Sequence, residues 1–265
     1  MNKALNIALW ALGVIVLFML LGFAESNKSE VVFNELFVNV DNSKGNFFIT
    51  KKEMEEAVYN MGYQLNNDLL QDIDLKEMEH YFDNNPSIKK AEVYTSIDGV
   101  LRIDVVQRTP ILRVFSRNGD SYYIDADGYL MPLSKSYTSR VMVVNGAVDA
   151  PYNVNYLHQL GKPLAEGETI KGREQLKALY NAAKIIRNNP FWKAQVAQLY
   201  INKDNDLELI PKVGDHTIVV GDPADIETRL NKLMVFYKEG LSKTGWNEYS
   251  TINLKFKNQV VCTKK

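Results

Sequence analysis

The chain has 265 residues, 46% of them apolar and 24% charged, with a formal net charge of −1. This is ordinary globular composition, and the balanced charge gives no support for a broad polybasic surface or for nucleic-acid binding. The single cysteine, Cys262, excludes an intrachain disulfide, so the fold has to rest on its core.

The first element is an uninterrupted apolar stretch over residues 4–24 with no charged side chain. At a rise of ~1.5 Å per residue a helix of this length reaches about 31 Å, which matches a hydrocarbon core of about 30 Å. Lys3 and the amino terminus precede it, and Glu25, Lys28 and Glu30 follow it. Basic charge near a spanning helix favours the cytoplasmic side, so residues 1–3 are expected inside and the body outside. A cleaved signal peptide is the rival, with Gly22-Phe23-Ala24 as a small-residue cleavage site. The stretch is longer than the roughly 7–15 residues of an h-region. Both readings export the body.

After a polar linker over 25–30, residues 31–40 read as a strand. Thr50 with Glu53 three residues on forms a capping box, and Met54, Ala57, Val58 and Met61 make a helical stripe that Gly62 stops. A second helix has Asp74 as cap and Glu77 as box partner, an apolar face of Leu75, Met78, Tyr81 and Phe82, and a stop at Asn84-Asn85-Pro86. Ala91, Val93, Thr95 and Ile97 then alternate with Glu92, Tyr94 and Ser96. Asp98-Gly99 marks a hairpin, and Leu101, Ile103 and Val105 alternate with Arg102 and Asp104. Residues 31–108 thus read β-α-α-β-β, with both helices on one face of a small sheet.

Thr109-Pro110 breaks the pattern and opens a second domain over 109–265. Short strands are expected at 111–115, 121–124, 129–133 and 140–144, with turns at Asn118-Gly119, Asp127-Gly128 and Asn145-Gly146. Residues 149–172 read as irregular. A helix over 172–187 presents Leu176, Leu179, Tyr180, Ala183 and Ile186 and ends at Asn188-Asn189-Pro190. Strands follow at 196–201, 207–210 and 217–220, then a helix capped by Asp222 with Pro223 at its first position. The closing strand, 251–261, has Ile252, Leu254 and Phe256 on one face and Asn253, Lys255 and Lys257 on the other. The whole is an α+β protein: an N-terminal transmembrane helix, a small β-α-α-β-β domain, and a strand-rich α+β domain ending in an edge strand.

Catalytic patterns fail on their own geometry. Ser87-Ile88-Lys89-Lys90, Ser116-Arg117-Asn118 and Lys243-Thr244-Gly245 follow the order of a penicillin-binding transpeptidase. The first of these needs a helix, whereas residues after Pro86 alternate as a strand, which points positions three apart to opposite faces. His80, His158 and His216 have no second ligand at metal spacing. Asp125-Ala126-Asp127-Gly128 lacks the flanking ligands of a calcium loop and reads as a hairpin turn. The expectation is a protein that is not an enzyme, with no cofactor, metal or small-molecule substrate.

Several words stand in a recognisable order. Pro86-Ser87-Ile88-Lys89-Lys90-Ala91-Glu92-Val93 is similar to a P-x-I-x-x-A-x-V strand entry. The run 101–110 is similar to an L-x-I-x-V-x-E-R-x-P junction, and Tyr123-Ile124-Asp125-Ala126-Asp127-Gly128 to a Y-V-D-x-D-G hairpin. Together with the terminal strand they resemble the bacterial cell-division family FtsQ/DivIB, and the β-α-α-β-β unit resembles a POTRA domain. Three departures stand out: a cytoplasmic tail of about three residues, Gln107 where glutamate is usual, and Asn253-Leu254-Lys255-Phe256 where relatives often show Asp-Leu-Arg-Tyr.

The resemblance implies an uncleaved anchor in the inner membrane and a periplasmic body enriched at the division septum. It implies a non-catalytic divisome scaffold that binds FtsB-like and FtsL-like bitopic proteins and helps couple their assembly to septal wall synthesis. A POTRA-bearing export or chaperone component is the alternative. Partner binding is expected by strand addition at the terminal strand, with Lys255, Phe256, Tyr249, Ser250 and Ile252 as contact candidates.

Overall fold

The computed structural model describes residues 10–19, 31–152, 159–164, 166 and 169–265. Residues 10–19 are helical and exposed, and among the described residues no helix is long and apolar enough to cross a membrane. The expected anchor over 4–24 extends past this helix at both ends, outside the described residues, as do residues 1–3, the linker 25–30 and His158. The chain separates into two compact units, divided between Gln107 and Arg108.

In the first unit, Thr50 accepts the Glu53 N–H at 3.2 Å while the Glu53 carboxylate accepts the Thr50 N–H at 2.8 Å. This reciprocal box starts α1 (Lys51–Asn60). At α2 (Leu75–Asp83) only half of the expected box forms. Asp74 accepts the Glu77 N–H at 2.9 Å, but its own N–H donates to the Tyr63 hydroxyl at 3.2 Å. The three strands β1 (Glu35–Asp41), β2 (Ile88–Thr95) and β3 (Val100–Gln107) pair in the order β1-β3-β2. β1 runs parallel to β3 and β2 antiparallel to it. Met54, Val58, Met78 and Phe82 from the helices share one core with Leu36, Val38, Leu101 and Ile103.

Two expectations shift here. Residues 31–34 are not part of β1: the backbone of 31–33 pairs with the loop before α2, Asn66 N–H to Phe33 O at 2.7 Å and Leu70 N–H to Val31 O at 2.9 Å, while the Asn34 N–H donates to Gly99 O at 2.8 Å. Ile97 is 89% exposed and lies in the turn between β2 and β3 instead of extending the alternation.

Among the described residues, the second unit is built on nine strands: β4 (Pro110–Phe115), β5 (Ser121–Asp125), β6 (Leu130–Met131), β7 (Met142–Gly146), β8 (Val196–Ile201), β9 (Leu207–Pro211), β10 (Thr217–Gly221), β11 (Tyr249–Asn253) and β12 (Val261–Lys264). Their order across the sheet is β12-β11-β10-β9-β8-β7-β4-β5-β6. β4, β7 and β8 run parallel, as do β10 and β11. Leu112, Val144, Leu199, Leu209 and Ile218 meet Leu176, Leu179 and Ile186 of α3 (Arg173–Asn188) and Leu230 and Leu233 of α5 (Ile226–Phe236).

Asn145-Gly146, expected as a turn, lies inside β7 opposite Tyr200 and Ile201. Gly146 has φ +93°, and a Cβ there would sit 2.1 Å from the Ile201 carbonyl oxygen, so the close approach of the neighbouring strand demands glycine. Asn188-Asn189-Pro190 ends α3 and also starts a further helix, α4 (Pro190–Gln195). The Asn189 side chain accepts the N–H groups of Phe191 and Trp192, and Pro190 takes the first position, where no N–H is needed. Asp222 caps a short 3-10 turn, Pro223–Asp225, before α5 begins.

The Asp125–Gly128 hairpin holds an ion pair. Asp125 accepts Arg108 at 3.0 Å and the N–H groups of Asp127 and Tyr129 at 2.9 and 2.7 Å. Arg108 lies over the Tyr129 ring at 3.9 Å. Burial nonetheless holds the Asp125 carboxyl above its ordinary value, against these hydrogen bonds and the Arg108 charge, which pull it down.

Candidate partner-binding edge

The single closing strand expected over 251–261 is two strands. β11 stops at Asn253, whose side-chain oxygen accepts the Lys255 N–H at 3.0 Å and so turns the chain locally. β12 then returns antiparallel to β11, pairing Asn253 with Val261, Ile252 with Cys262 and Thr251 with Thr263. The other side of β11 pairs with β10, placing Ile252 opposite Ile218.

Two side chains of α5 fix the return. Arg229 donates to the carbonyls of Leu254 and Lys255 at 2.5 and 2.8 Å, and its other nitrogen meets Asp225 at 2.9 Å. The Lys232 ammonium donates to Leu254 O at 2.7 Å, to Phe256 O, and to Gln259 O at 3.3 Å. Burial, with the Arg229 charge second, holds the Lys232 amine below its usual value. Two cations therefore satisfy carbonyls that a continuous strand would have given to a neighbour.

The expected contact residues occupy different places on this hairpin. Ile252 is fully buried, in the core. Tyr249 is half-buried with its ring 6.2 Å from that of Phe236, and Ser250 donates its hydroxyl to Thr263 O at 3.2 Å. All three lie on β11, whose two sides are already paired. Lys255 and Phe256 fall in the turn. The Lys255 ammonium pairs with Asp206 at 2.6 Å, and its stem crosses Gly221, where a Cβ would come within 2.9 Å. Phe256 is 46% exposed, off the core face to which alternation assigned it.

The outer edge of the sheet is β12, which sequence reasoning missed. Val261 is exposed, Cys262 is half-buried against the core, and Thr263 is exposed. Burial raises the Cys262 thiol. The end is tied down where Lys265 donates its N–H to Glu248 O at 3.2 Å and its ammonium to Asp215 at 2.7 Å. That hydrogen bond and charge lower the Asp215 carboxyl.

Other edges among the described residues are poorer templates. β6 has two residues, both buried. β2 carries Lys89, Lys90 and Glu92, and β1 carries Glu35 and Asp41, charges of the kind that discourage pairing. β12 offers Val261-Cys262-Thr263 uncharged. Beside it, Val235, Phe236, Gly240 and Val260 line a shallow groove. Among the described residues, no group of three His, Cys, Asp or Glu side chains gathers as a metal site.

Among the described residues, a three-stranded sheet with two packed helices is followed by a mixed sheet whose outer strands are β12 and β6. Residues 32–106 match the POTRA-like domain, and residues 109–263 match the family described as FtsQ/DivIB, C-terminal related. The chain belongs to the FtsQ/DivIB family. It is similar to the cell division protein FtsQ of Rhodothermus marinus, 26% identical over 181 residues. That alignment covers 67% of this chain and 60% of the relative.

Proposed function

We propose that this protein is a non-catalytic divisome scaffold that receives FtsB-like and FtsL-like bitopic proteins by strand addition on β12. Segment 4–24 anchors it in the inner membrane, and the two units lie on the periplasmic face at the septum, where partner assembly is coupled to wall synthesis. The observation that carries this reading is the outer edge of β12, uncharged over Val261-Cys262-Thr263 before it ends at Lys264, with the preceding turn held from α5 by Arg229 and Lys232. A partner strand would gain backbone hydrogen bonds there and specificity from alternate side chains. Tyr249, Ser250 and Ile252 act behind that edge, and Lys255 and Phe256 flank it.

The test places a photocrosslinking residue at Val261, Thr263 or Phe256 of the full chain in cells, with Ile252 as the buried comparison. Crosslinks from the first two to one small single-pass protein are expected. Adducts absent from both β12 positions, in cells that still divide with the variant as their only copy, would refute strand addition.

A further inference from the structure

The second unit holds a further feature several strands away from β12 in the sheet. A cleft of about 460 Å³ opens at the amino-terminal ends of the parallel strands β4, β7 and β8, where Pro110, Met142 and Val196 begin them. Ile111, Val141 and Ile186 complete its apolar floor. Four cations from four different segments line it: Arg140 ahead of β7, Arg187 in the last turn of α3, Lys193 on α4, and Lys212 after β9. The lining includes no carboxylate, and none of the four is paired to an acid among the described residues.

A helix carboxyl end accounts for one basic side chain, since cations offset the orphan carbonyls there. It does not account for four converging from separate elements in a chain whose net charge is −1. A one-signed cleft with low-dielectric walls focuses its field on an incoming anion.

We propose that this cleft is a second docking site, for an extended acidic peptide segment of a partner protein. Charge complementarity supplies the anion, and two guanidinium groups suit carboxylates because each can grip both oxygens. The apolar floor suits the alternate side chains of an extended segment, which point away from the charged ones. A membrane surface fits less well, because no Trp, Tyr or Phe lines the cleft to seat at the headgroup level. Single-stranded nucleic acid fits less well for the same reason, having no ring on which to stack. The site is separate from β12, so it stands whether or not strand addition does.

The probe is a fluorescent peptide alternating glutamate with valine and isoleucine, titrated by anisotropy against the full chain in nanodiscs of zwitterionic lipid. Saturable binding that weakens with salt is expected. The variant R187E/K193E should bind roughly tenfold more weakly, while the distant K203E binds as the parent does. Both replaced positions are exposed, and matching thermal melts check that the fold is kept. Equal binding by R187E/K193E, equal binding of a lysine-for-glutamate peptide, or capture of anionic vesicles without any of the peptide would each overturn the proposal.

Discussion

Gln107→Glu tests how much of the first unit rests on one buried amide. Gln107 is 3% exposed at the end of β3. Its oxygen accepts the N–H groups of Phe48 and Ile49 at 2.8 and 2.9 Å. Its nitrogen donates to Asn42 Oδ1 at 2.8 Å, Asn46 O at 2.9 Å and Asp41 O at 3.3 Å. The amide thus stitches the segment entering α1 to the sheet, with donor and acceptor on opposite sides. A carboxylate of the same shape keeps the two acceptances but turns its second oxygen toward three acceptors. Three hydrogen bonds are lost, and a charge is buried with no cation in the set. Together these cost about 2–4 kcal/mol, or roughly 10–20 °C in the melting of a unit this size.

The introduced carboxyl would hold its proton more tightly folded than unfolded. The cost is therefore small below the ordinary value of about 4.3 and grows as pH rises through the folded value. Far-UV circular dichroism follows both units. In a Trp10→Phe background, the fluorescence of Trp192 and Trp246 reports the second unit, where both of these residues lie. The tryptophan transition should stay in place while the other moves. A first-unit transition unmoved at pH 7, or a shift equal at pH 4 and pH 7, would refute the reasoning.

Three further outcomes follow from the second unit. Gly146→Ala should destabilise it by about 2–3 kcal/mol, since the left-handed φ and the Ile201 carbonyl both oppose a Cβ; an unchanged urea midpoint by tryptophan fluorescence would contradict this. Lys232→Met should speed amide exchange over 254–260 and at β12 by roughly tenfold, from losing a charged donor to three carbonyls, and should weaken partner crosslinking at Val261; exchange at the parent rate would show that Arg229 alone suffices. Asp125→Asn should cost about 2 kcal/mol by weakening the Arg108 pair and should also flatten the pH response. The unfolded carboxyl releases its proton near 3.8 while the folded one, raised by burial, keeps it longer. The parent therefore loses stability from this group as pH rises from 3.8 through the folded value, and the variant does not, as melts across that range would show.

The parts of this fold legible in the sequence are those fixed within a few residues. Thr50 and Glu53 announce α1 because both halves of the box lie one turn apart. The alternation of Leu101, Ile103 and Val105 identifies β3 because one face is core. Where a distant partner decides, local reading fails. Asp74 and Glu77 promise a full box, but Tyr63 takes the Asp74 N–H. Asn145-Gly146 reads as a turn until Ile201 approaches it. Asn189-Pro190 carries both signals, since the same pair that stops one helix is well suited to start another.

The closing strand is the most consequential case, because the candidate site moved with it. Unbroken alternation through Ile252, Leu254 and Phe256 implies one strand, and a single strand would itself be the sheet's edge. The cue against it was local: Asn253 can bond the N–H two residues on, but asparagine does this in many loops without ending a strand. What settles the break is the pair Arg229 and Lys232, on a helix more than twenty residues earlier, taking up the carbonyls of 254–256. Their capture leaves the chain free to return, so the last uncharged residues, Val261 to Thr263, become the outer strand and β11 becomes an interior one. Substitutions at Arg229 and Lys232, which lie outside the edge itself, should therefore govern whether β12 forms.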